Sequence, residues 1–356
     1  MSGTRAIHAS WDTPNYVMSS KTKVRSVISE LSEAVQNAIS RQSRYNEIKF
    51  QRGIIPVIAA KQITRENRVL QKQMYDLFFK EVGCVILKDV FDKSVMNALN
   101  QWTERMLDEA KLDANSVHPK QKDKYLVNDV ILRMASTNPN LLLKTVFDPT
   151  IMCAMDSLLG FARIGSATMH WIQPGGDRQE AHVDYPIHVG SGAFWEGRVN
   201  KIMETMTSHQ IEHIMPYYSI QTLIACDSMD SSNGSTEVIP CSHKIKNMDL
   251  VVHEKSVKEA LESKFVNVSL QEGDVLIFNR RLCHRGGANK SKVRRNALII
   301  QSVFLWGIGQ EIIQSSRVLQ KLALQSSVYK SWTTRQKRVF LSRIQAPYPI
   351  NVKDRT

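Results

Sequence analysis

The stretch Gln179-Glu180-Ala181-His182-Val183-Asp184-Tyr185-Pro186 sets an imidazole and a carboxylate two residues apart in a segment of strand character. In an extended chain residues i and i+2 project from the same face, so His182 and Asp184 are able to hold one ion together. A second stretch, Gly273-Asp274-Val275-Leu276-Ile277-Phe278-Asn279-Arg280-Arg281-Leu282-Cys283-His284, delivers another histidine 102 positions after the first. Two histidines and one carboxylate on one face of a metal, with the remaining positions open, are the ligand set of non-haem Fe(II) sites.

Outward from this stretch the pattern is one of short alternating strands with Gly and Pro between them, as in a sandwich or barrel. Ala167 to Gln173 reads as a strand, Pro174-Gly175-Gly176-Asp177 as a turn, and Gln179 to Asp184 as the metal-bearing strand. Further strands fall at Ser219 to Cys226, Ser235 to Ile239, Phe265 to Leu270, Val275 to Asn279 and Ala297 to Leu305. Residues 187–217, with Trp195 and Arg198, interrupt the series. A connection this long inside a compact sheet carries function or stays disordered. Because it begins three residues after Asp184, it reads as a lid over the metal.

Helical periodicity flanks the strands. Val24, Val27, Ile28, Leu31, Val35, Ala38 and Ile39 form a stripe that predicts a helix packed on the main domain. Residues 64–80 continue helical, and Gly83 ends that helix before a strand at Cys84 to Leu87. A third helix is expected from Asp92 to Ala110, a strand and turn from Tyr125 to Ala135 carrying Asn128 and Arg133 towards the site, and a helix from Leu141 to Leu159 interrupted near Pro149. Asn128 and Arg133 read equally well as surface polar groups. From Gly307 the pattern returns to helix. The expected architecture is therefore a mainly β core with flanking helices: a leader and helix at 1–62, a core domain at 63–306 and a helical extension at 307–356.

The 356 residues, 42% hydrophobic and 23% charged, suffice for a packed core and argue against wholesale disorder. Lys and Arg number 47 against 34 Asp and Glu, a formal +13 that attracts anions without defining a site. No zinc-finger spacing, aromatic RNA-binding signature or long basic block accompanies that charge, so a nucleic-acid partner is not expected. No stretch approaches the ~20 apolar residues that span a bilayer, so no membrane partner is expected either. Five scattered cysteines do not suggest a disulfide framework, and the expected location is the cytoplasm. Up to Ser29 only Asp12 is acidic, so a processed targeting segment stays open beside that reading. A zinc reading of Cys241, His243, Cys283 and His284 fails because their spacing matches no common structural zinc pattern.

Four pieces in order resemble one family, the phytanoyl-CoA dioxygenase-like Fe(II)/2-oxoglutarate oxygenases, over roughly residues 75–305. They are Glu81-Val82-Gly83-Cys84-Val85-Ile86-Leu87-Lys88-Asp89, the His-x-Asp step, Asn233-Gly234-Ser235-Thr236-Glu237-Val238-Ile239-Pro240-Cys241-Ser242-His243, and the block from Gly273 to Arg295. A bare His-x-Asp occurs often by chance; the ordered set is what resembles the family. The resemblance implies a double-stranded β-helix of jelly-roll or cupin type. It also implies an enzyme that uses Fe(II), 2-oxoglutarate and O2, with His182, Asp184 and His284 as metal ligands.

By the same resemblance Arg295, eleven residues after His284, grips the distal carboxylate of 2-oxoglutarate, with Arg294 as fallback on the opposite side of the strand. Thr222 stands where the family often has a hydroxyl near the cosubstrate, and Gln179 is a further candidate contact. Tyr185, Trp195, Arg198, Asn128 and Arg133 are substrate candidates, with Arg178 another cation near the site. Two departures stand out. The family commonly shows Pro-Gly-Ser-His where this chain has Pro240-Cys241-Ser242-His243, and Gly286 occupies a position where some relatives carry a hydroxyl. Retention of Asp184 argues against a halogenase.

The implied reaction is hydroxylation, desaturation or oxidative ring closure of a small, anionic organic substrate. A similarity to fungal meroterpenoid dioxygenases and algal kainoid synthases implies a carboxylated specialised metabolite such as a kainoid precursor. The family's namesake implies an acyl-CoA instead, and a silent ligand-binding jelly-roll is the non-enzymatic alternative. The residues leave the oligomeric state open.

Overall fold

The computed structural model describes residues 20–45, 47–110, 124–160, 162–184, 219–245, 248, 252, 254–304, 326–334 and 337. In chain order the helices are α1 (Ser20–Ser40), α2 (Arg68–Tyr75), α3 (Lys93–Ala110), α4 (Val130–Thr137), α5 (Pro139–Thr145), α6 (Pro149–Leu159), α7 (Lys255–Leu261) and α8 (Ser327–Ser331). The strands are β1 (Lys49–Gln51), β2 (Ile55–Ala59), β3 (Cys84–Lys88), β4 (Lys124–Val127), β5 (Ala162–Ile172), β6 (Ser219–Ala225), β7 (Thr236–Val238), β8 (Val266–Asn267), β9 (Val275–Asn279), β10 (His284–Gly286) and β11 (Arg295–Phe304).

Eight strands pair in the order β1-β2-β3-β9-β6-β11-β5-β4, and β10-β7-β8 form a second, smaller sheet. Together they make the expected jelly-roll core with helices outside it. β11 lies in the interior of the large sheet, antiparallel to β5 and to β6, with Gln301 opposite both Ser166 and Gln221. Successive residues of a strand point to opposite faces, so this register decides what reaches the interior. Ser166, Thr168, His170, Gln221, Ile299 and Gln301 face a cavity between the sheets. The alternate residues Met169, Ile220, Ile224, Leu298 and Ile300 are buried in the hydrophobic core.

Helix α1 buries Val27, Leu31 and Ala38 of the predicted stripe and also Ala34, which lay outside it; Val24, Ile28 and Val35 are partly buried, and Ile39 at the stripe's end is 49% exposed. Its ends are tied to the body of the protein by Lys23–Glu254 at 2.9 Å and Arg41–Glu81 at 3.0 Å. Helix α2 is capped by the Asn67 side chain accepting from the Leu70 amide, and it widens into a π-turn over Asp76–Glu81 before Gly83.

Four expectations are corrected. The segment Gln179 to Asp184 is not a regular strand: it makes one isolated bridge, His182 opposite His284, with Gln179 N–H and Asp184 N–H donating to Gly286 and Arg280 carbonyls. The segment Tyr125 to Ala135 contains only the end of β4; Asp129 adopts a left-handed φ of 54° and helix α4 follows. Its β-branched start, Val130-Ile131, resembles a strand, yet Val130, Ile131, Met134 and Ala135 are buried at helical spacing. Residues 43–63 carry the unforeseen β1 and β2, which extend the large sheet beyond β3. Thr222, finally, faces away from the cavity. The expected lid, residues 187–217, and most of the extension from Gly307 lie outside the described residues.

Candidate metal centre

His284 begins β10, and His182 lies beside it through paired backbone bonds: His182 N–H donates to the His284 carbonyl at 3.0 Å and His284 N–H to the His182 carbonyl at 2.9 Å. Asp184, two residues on, returns to the same side. The nearest donor atoms of the three side chains lie within 4.8 Å of one another. His182 Nε2 is 3.9 Å from Asp184 Oδ1 and His284 Nε2 is 3.8 Å from Asp184 Oδ2.

Each imidazole is oriented by its other nitrogen. His182 Nδ1 lies 2.8 Å from the Glu180 carbonyl and His284 Nδ1 lies 2.9 Å from the Leu282 carbonyl. A carbonyl only accepts, so the ring protons sit on Nδ1 and the Nε2 lone pairs point at the shared space. This is the arrangement in which backbone partners aim metal-binding histidines. Burial first, and the neighbouring His182 second, push the His284 imidazolium down to about 4 against the opposing pull of Asp184, which keeps the ring neutral as a ligand must be.

Asp184 is held well below the usual carboxylate range. Its own burial acts upward and is the largest single influence, but the Arg280 guanidinium, both imidazoles and a hydrogen bond from Gln221 together outweigh it. Gln221 Nε2 donates to Asp184 Oδ2 at 2.9 Å, and Arg280 Nε stands 3.7 Å from the same oxygen. Neither residue was singled out from sequence. For Gln221 a signal existed, because in Ser219-Ile220-Gln221-Thr222-Leu223-Ile224 the phase shared by Ile220 and Ile224 also contains Thr222 and assigns it to the core.

The triad opens on a cavity of about 300 Å³ lined by Gln179, Phe278, Gly286, Arg295 and the strand residues named above. Arg295 sits at one end of it, 3% exposed, opposite Ile172 in the β5 pairing. One of its terminal nitrogens donates to the Gly234 carbonyl. Its Nε is buried with no hydrogen-bond partner among the described residues. Burial lowers its pKa to about 10, so it stays charged at neutral pH. Gly234 has φ +86°, and a Cβ there would lie 2.9 Å from the Gly287 carbonyl oxygen, so only glycine lets this loop close over the block that carries Arg295. Arg294 points the other way, pairing with Glu104 and lying 4.5 Å from the Trp171 ring centroid.

The remaining candidates separate. Gln179 lines the cavity, but its side chain already accepts from the Gly286 amide at 3.1 Å. Thr222, fully buried, is opposite Ile300 on the core face. Arg133 donates to the Asn128 carbonyl at 3.0 Å, and neither lines the cavity. Arg178 is engaged by Glu262 at 3.1 Å and Glu237 at 3.6 Å. Tyr185, Trp195 and Arg198 lie outside the described residues. Cys241 occupies its turn at φ 68°, ψ −6°, the left-handed conformation glycine adopts without steric cost, so the departure from the family turn keeps the glycine geometry and bears its strain.

The family model for phytanoyl-CoA dioxygenase matches residues 79–297, which spans both halves of the triad and Arg295. The chain belongs to the phytanoyl-CoA dioxygenase family. The dioxygenase lolE1 of Epichloe uncinata is 36% identical over 80 residues, covering 22% of this chain and 31% of that protein, so the match spans about a third of the relative's length. Among solved structures, the non-heme alpha ketoglutarate dependent carbocyclase SnoK from nogalamycin biosynthesis is similar at 17% identity and TM-score 0.50, covering 72% of this chain and 92% of that one. HygX of Streptomyces hygroscopicus, crystallised with nickel, 2-oxoglutarate and hygromycin B, is similar at 15% identity and TM-score 0.48, covering 69% and 89%. At these identities the structural likeness concerns the fold.

Proposed function

We propose that this member of the family is an Fe(II)- and 2-oxoglutarate-dependent oxygenase that oxidises an unactivated C–H bond of a small organic acid. One observation carries the reading: His182, Asp184 and His284 converge on a cavity that is also lined by the buried Arg295 guanidinium, whose Nε has no hydrogen-bond partner among the described residues. The donor set fits the metal, since two neutral imidazoles and one ionised carboxylate suit a redox-active divalent ion and leave cis positions open. Iron, when bound, supplies the activation of dioxygen for which the protein itself has no group.

The chain's own residues do the rest. Gln221 and Arg280 keep Asp184 ionised and fix its carboxylate. Arg295 supplies a permanent cation for the far carboxylate of a diacid whose other end reaches the metal. Phe278 and Ile299 give that diacid apolar walls, while Ser166, Thr168, His170 and Gln301 make the neighbouring strand faces polar. Hydroxylation, desaturation and ring closure all accept this ligand set. A carboxylated specialised metabolite is our narrower choice of substrate and the cytoplasm our choice of location; the lolE1 match, to a protein named a dioxygenase, supports the reaction class.

The test is succinate formation from 2-oxoglutarate by purified protein with Fe(II) and ascorbate, with and without candidate acids. Iron-dependent succinate is expected; its absence at every iron and cosubstrate concentration would count against the reading. Arg295→Leu should raise the 2-oxoglutarate requirement about tenfold or more while iron uptake is kept, and Arg294→Leu should leave it unchanged. An unchanged requirement in Arg295→Leu would remove that residue from the site.

A further inference from the structure

The pairing of β5 with β11 slips once. Gln301 is opposite Ser166, but Ser302 is opposite Ile164, so Gly165 is an extra residue on β5. A bulge of this kind reverses the alternation of the strand that carries it. Ser166, Thr168 and His170 face the cavity on one side of the bulge; on the other side the same face of the sheet passes to Arg163, one row beyond the residues that line the cavity.

The neighbouring strand agrees. Arg163 is opposite Val303, and Val303 shares the odd phase of Arg295, Ile299 and Gln301 on unbulged β11. Ser302, in the even phase, points outward, with its hydroxyl 3.0 Å from Met155 Sδ of α6. Val303 is also opposite Ser219, which shares the phase of Gln221 on β6. Arg163, Val303 and Ser219 therefore form one row across three strands. It lies two residues, about 7 Å, beyond the row Ser166, Gln301 and Gln221. That nearer row touches the triad through the Gln221–Asp184 hydrogen bond.

The two rows carry polar atoms without partners. Arg163 Nε, Ser219 Oγ and Gln221 Oε1 are each buried with no hydrogen-bond partner among the described residues, and Ser219 is only 2% exposed. Burial also lowers the Arg163 pKa. Leaving such groups unmet costs about 1–3 kcal/mol each, and native proteins seldom do so without a ligand or water to fill the gap. Arg295, by contrast, stands at the opposite end of β5, opposite Ile172. The sheet face that forms the cavity wall thus has a cation towards each end, Arg295 within the cavity lining and Arg163 beyond it, with the triad's hydrogen-bond partner between them.

We infer that Arg163 and Ser219 form the subsite for an oxyanion of the substrate, a carboxylate or a phosphate, so that the oxidised carbon lies roughly one strand pleat, ~7 Å, from the charged group. The inference rests on the oxygenase reading above and names the chemical class its substrate belongs to. The guanidinium fork binds two oxygens of the anion, and the Ser219 hydroxyl donates to one of them.

The test uses the full chain loaded with nickel in place of iron and saturated with 2-oxoglutarate, so that the Arg295 end is filled and no turnover occurs. Octanoate, octyl phosphate and octanol are titrated calorimetrically. At least one anion is expected to bind about tenfold tighter than octanol, and which anion does so identifies the carboxylate or phosphate source. Arg163→Gln should abolish that preference, Arg163→Lys should retain part of it by keeping the charge without the fork, and Arg294→Gln on the outer face should leave it intact. Equal binding of anions and octanol to the wild type, or a preference that survives in Arg163→Gln, overturns the proposal. Uptake of metal and 2-oxoglutarate by the same wild-type preparation is measured first. Its failure sinks the oxygenase reading, whereas its success with no anion preference sinks only the subsite.

Discussion

Two buried histidines, His284 at the cavity and His243 in the turn after β7, share a chemistry and differ in what surrounds them. Burial is the main cause that pushes His284 down to about 4 and His243 down to about 3. His243 Nε2 donates to the Phe79 carbonyl at 3.1 Å, inside the π-turn after α2. Its Nδ1 faces Gly83, and a Cβ built there would lie 2.4 Å away, so neither nitrogen has room for a ligand. His284 spends Nδ1 on a backbone carbonyl and leaves Nε2 facing open volume beside two other donors. A low pKa therefore does not mark a site by itself; a donor atom with space in front of it does.

The sharpest break of this comparison is removal of each ring in turn. His182→Ala is expected to abolish iron retention and succinate formation together, a loss of about a thousandfold or more if one ligand of three is essential. His243→Ala should bind iron normally yet lose about 3 kcal/mol of stability, from a lost hydrogen bond and the cavity left behind. Metal content and denaturant unfolding read the two effects. Iron retained in His182→Ala, or lost from folded His243→Ala, would exchange the roles assigned here.

Next in size is the contact that closes the turn. Gly83 has φ +93°, and a Cβ there would strike His243 Nδ1 at 2.4 Å and Leu282 Cδ1 at 2.8 Å. Gly83→Ala should cost about 3 kcal/mol through backbone strain and overpacking. In a His243→Ala background the larger clash is gone, so the penalty should shrink and the double-mutant cycle should show coupling. Additive costs would mean that the ring does not rest on Gly83 in solution.

This turn was only half legible in the sequence. Gly83 was read as the stop of a helix, which it is, but its contact with a histidine 160 positions away depends on how β3 and β7 are brought together. The triad was legible because His-x-Asp obeys strand periodicity locally, although the segment makes a single bridge instead of a strand. The hairpin of β1 and β2 was missed because it is three and five residues long and contains Pro56; its signal was Arg52-Gly53, two residues with positive φ. The β5 bulge left no mark beyond one glycine, Gly165, and it is the bulge that decides which way Arg163 points.

A pH series sharpens the comparison without touching a ligand. In the unfolded chain His243 titrates near its ordinary value of 6.5, whereas in the folded protein it stays neutral down to about 3. Its folded pKa is depressed, so the stability linked to it is complete above about 6.5 and is lost as pH falls towards 3. The slope within that window is at most about 1.4 kcal/mol per pH unit. In metal-loaded protein, His243→Gln should flatten the fall in stability between pH 6.5 and 5 relative to the wild type. An unchanged slope would place the acid sensitivity in other groups.

The smallest effect separates neighbours on one strand. Gln221 and Thr222 differ by one position and so by one face of β6, the first hydrogen-bonded to Asp184 and the second buried opposite Ile300. Gln221→Leu removes a partner that orients the carboxylate proposed to hold the metal and should weaken iron binding about tenfold. Thr222→Val replaces a buried hydroxyl that has no hydrogen-bond partner among the described residues with an apolar group of the same shape, a change expected to be neutral or slightly stabilising. Its iron and 2-oxoglutarate requirements should match the wild type. A raised 2-oxoglutarate requirement in Thr222→Val would mean that β6 presents its other face to the cosubstrate, and the register that places Ser219 beside Arg163 would fall with it.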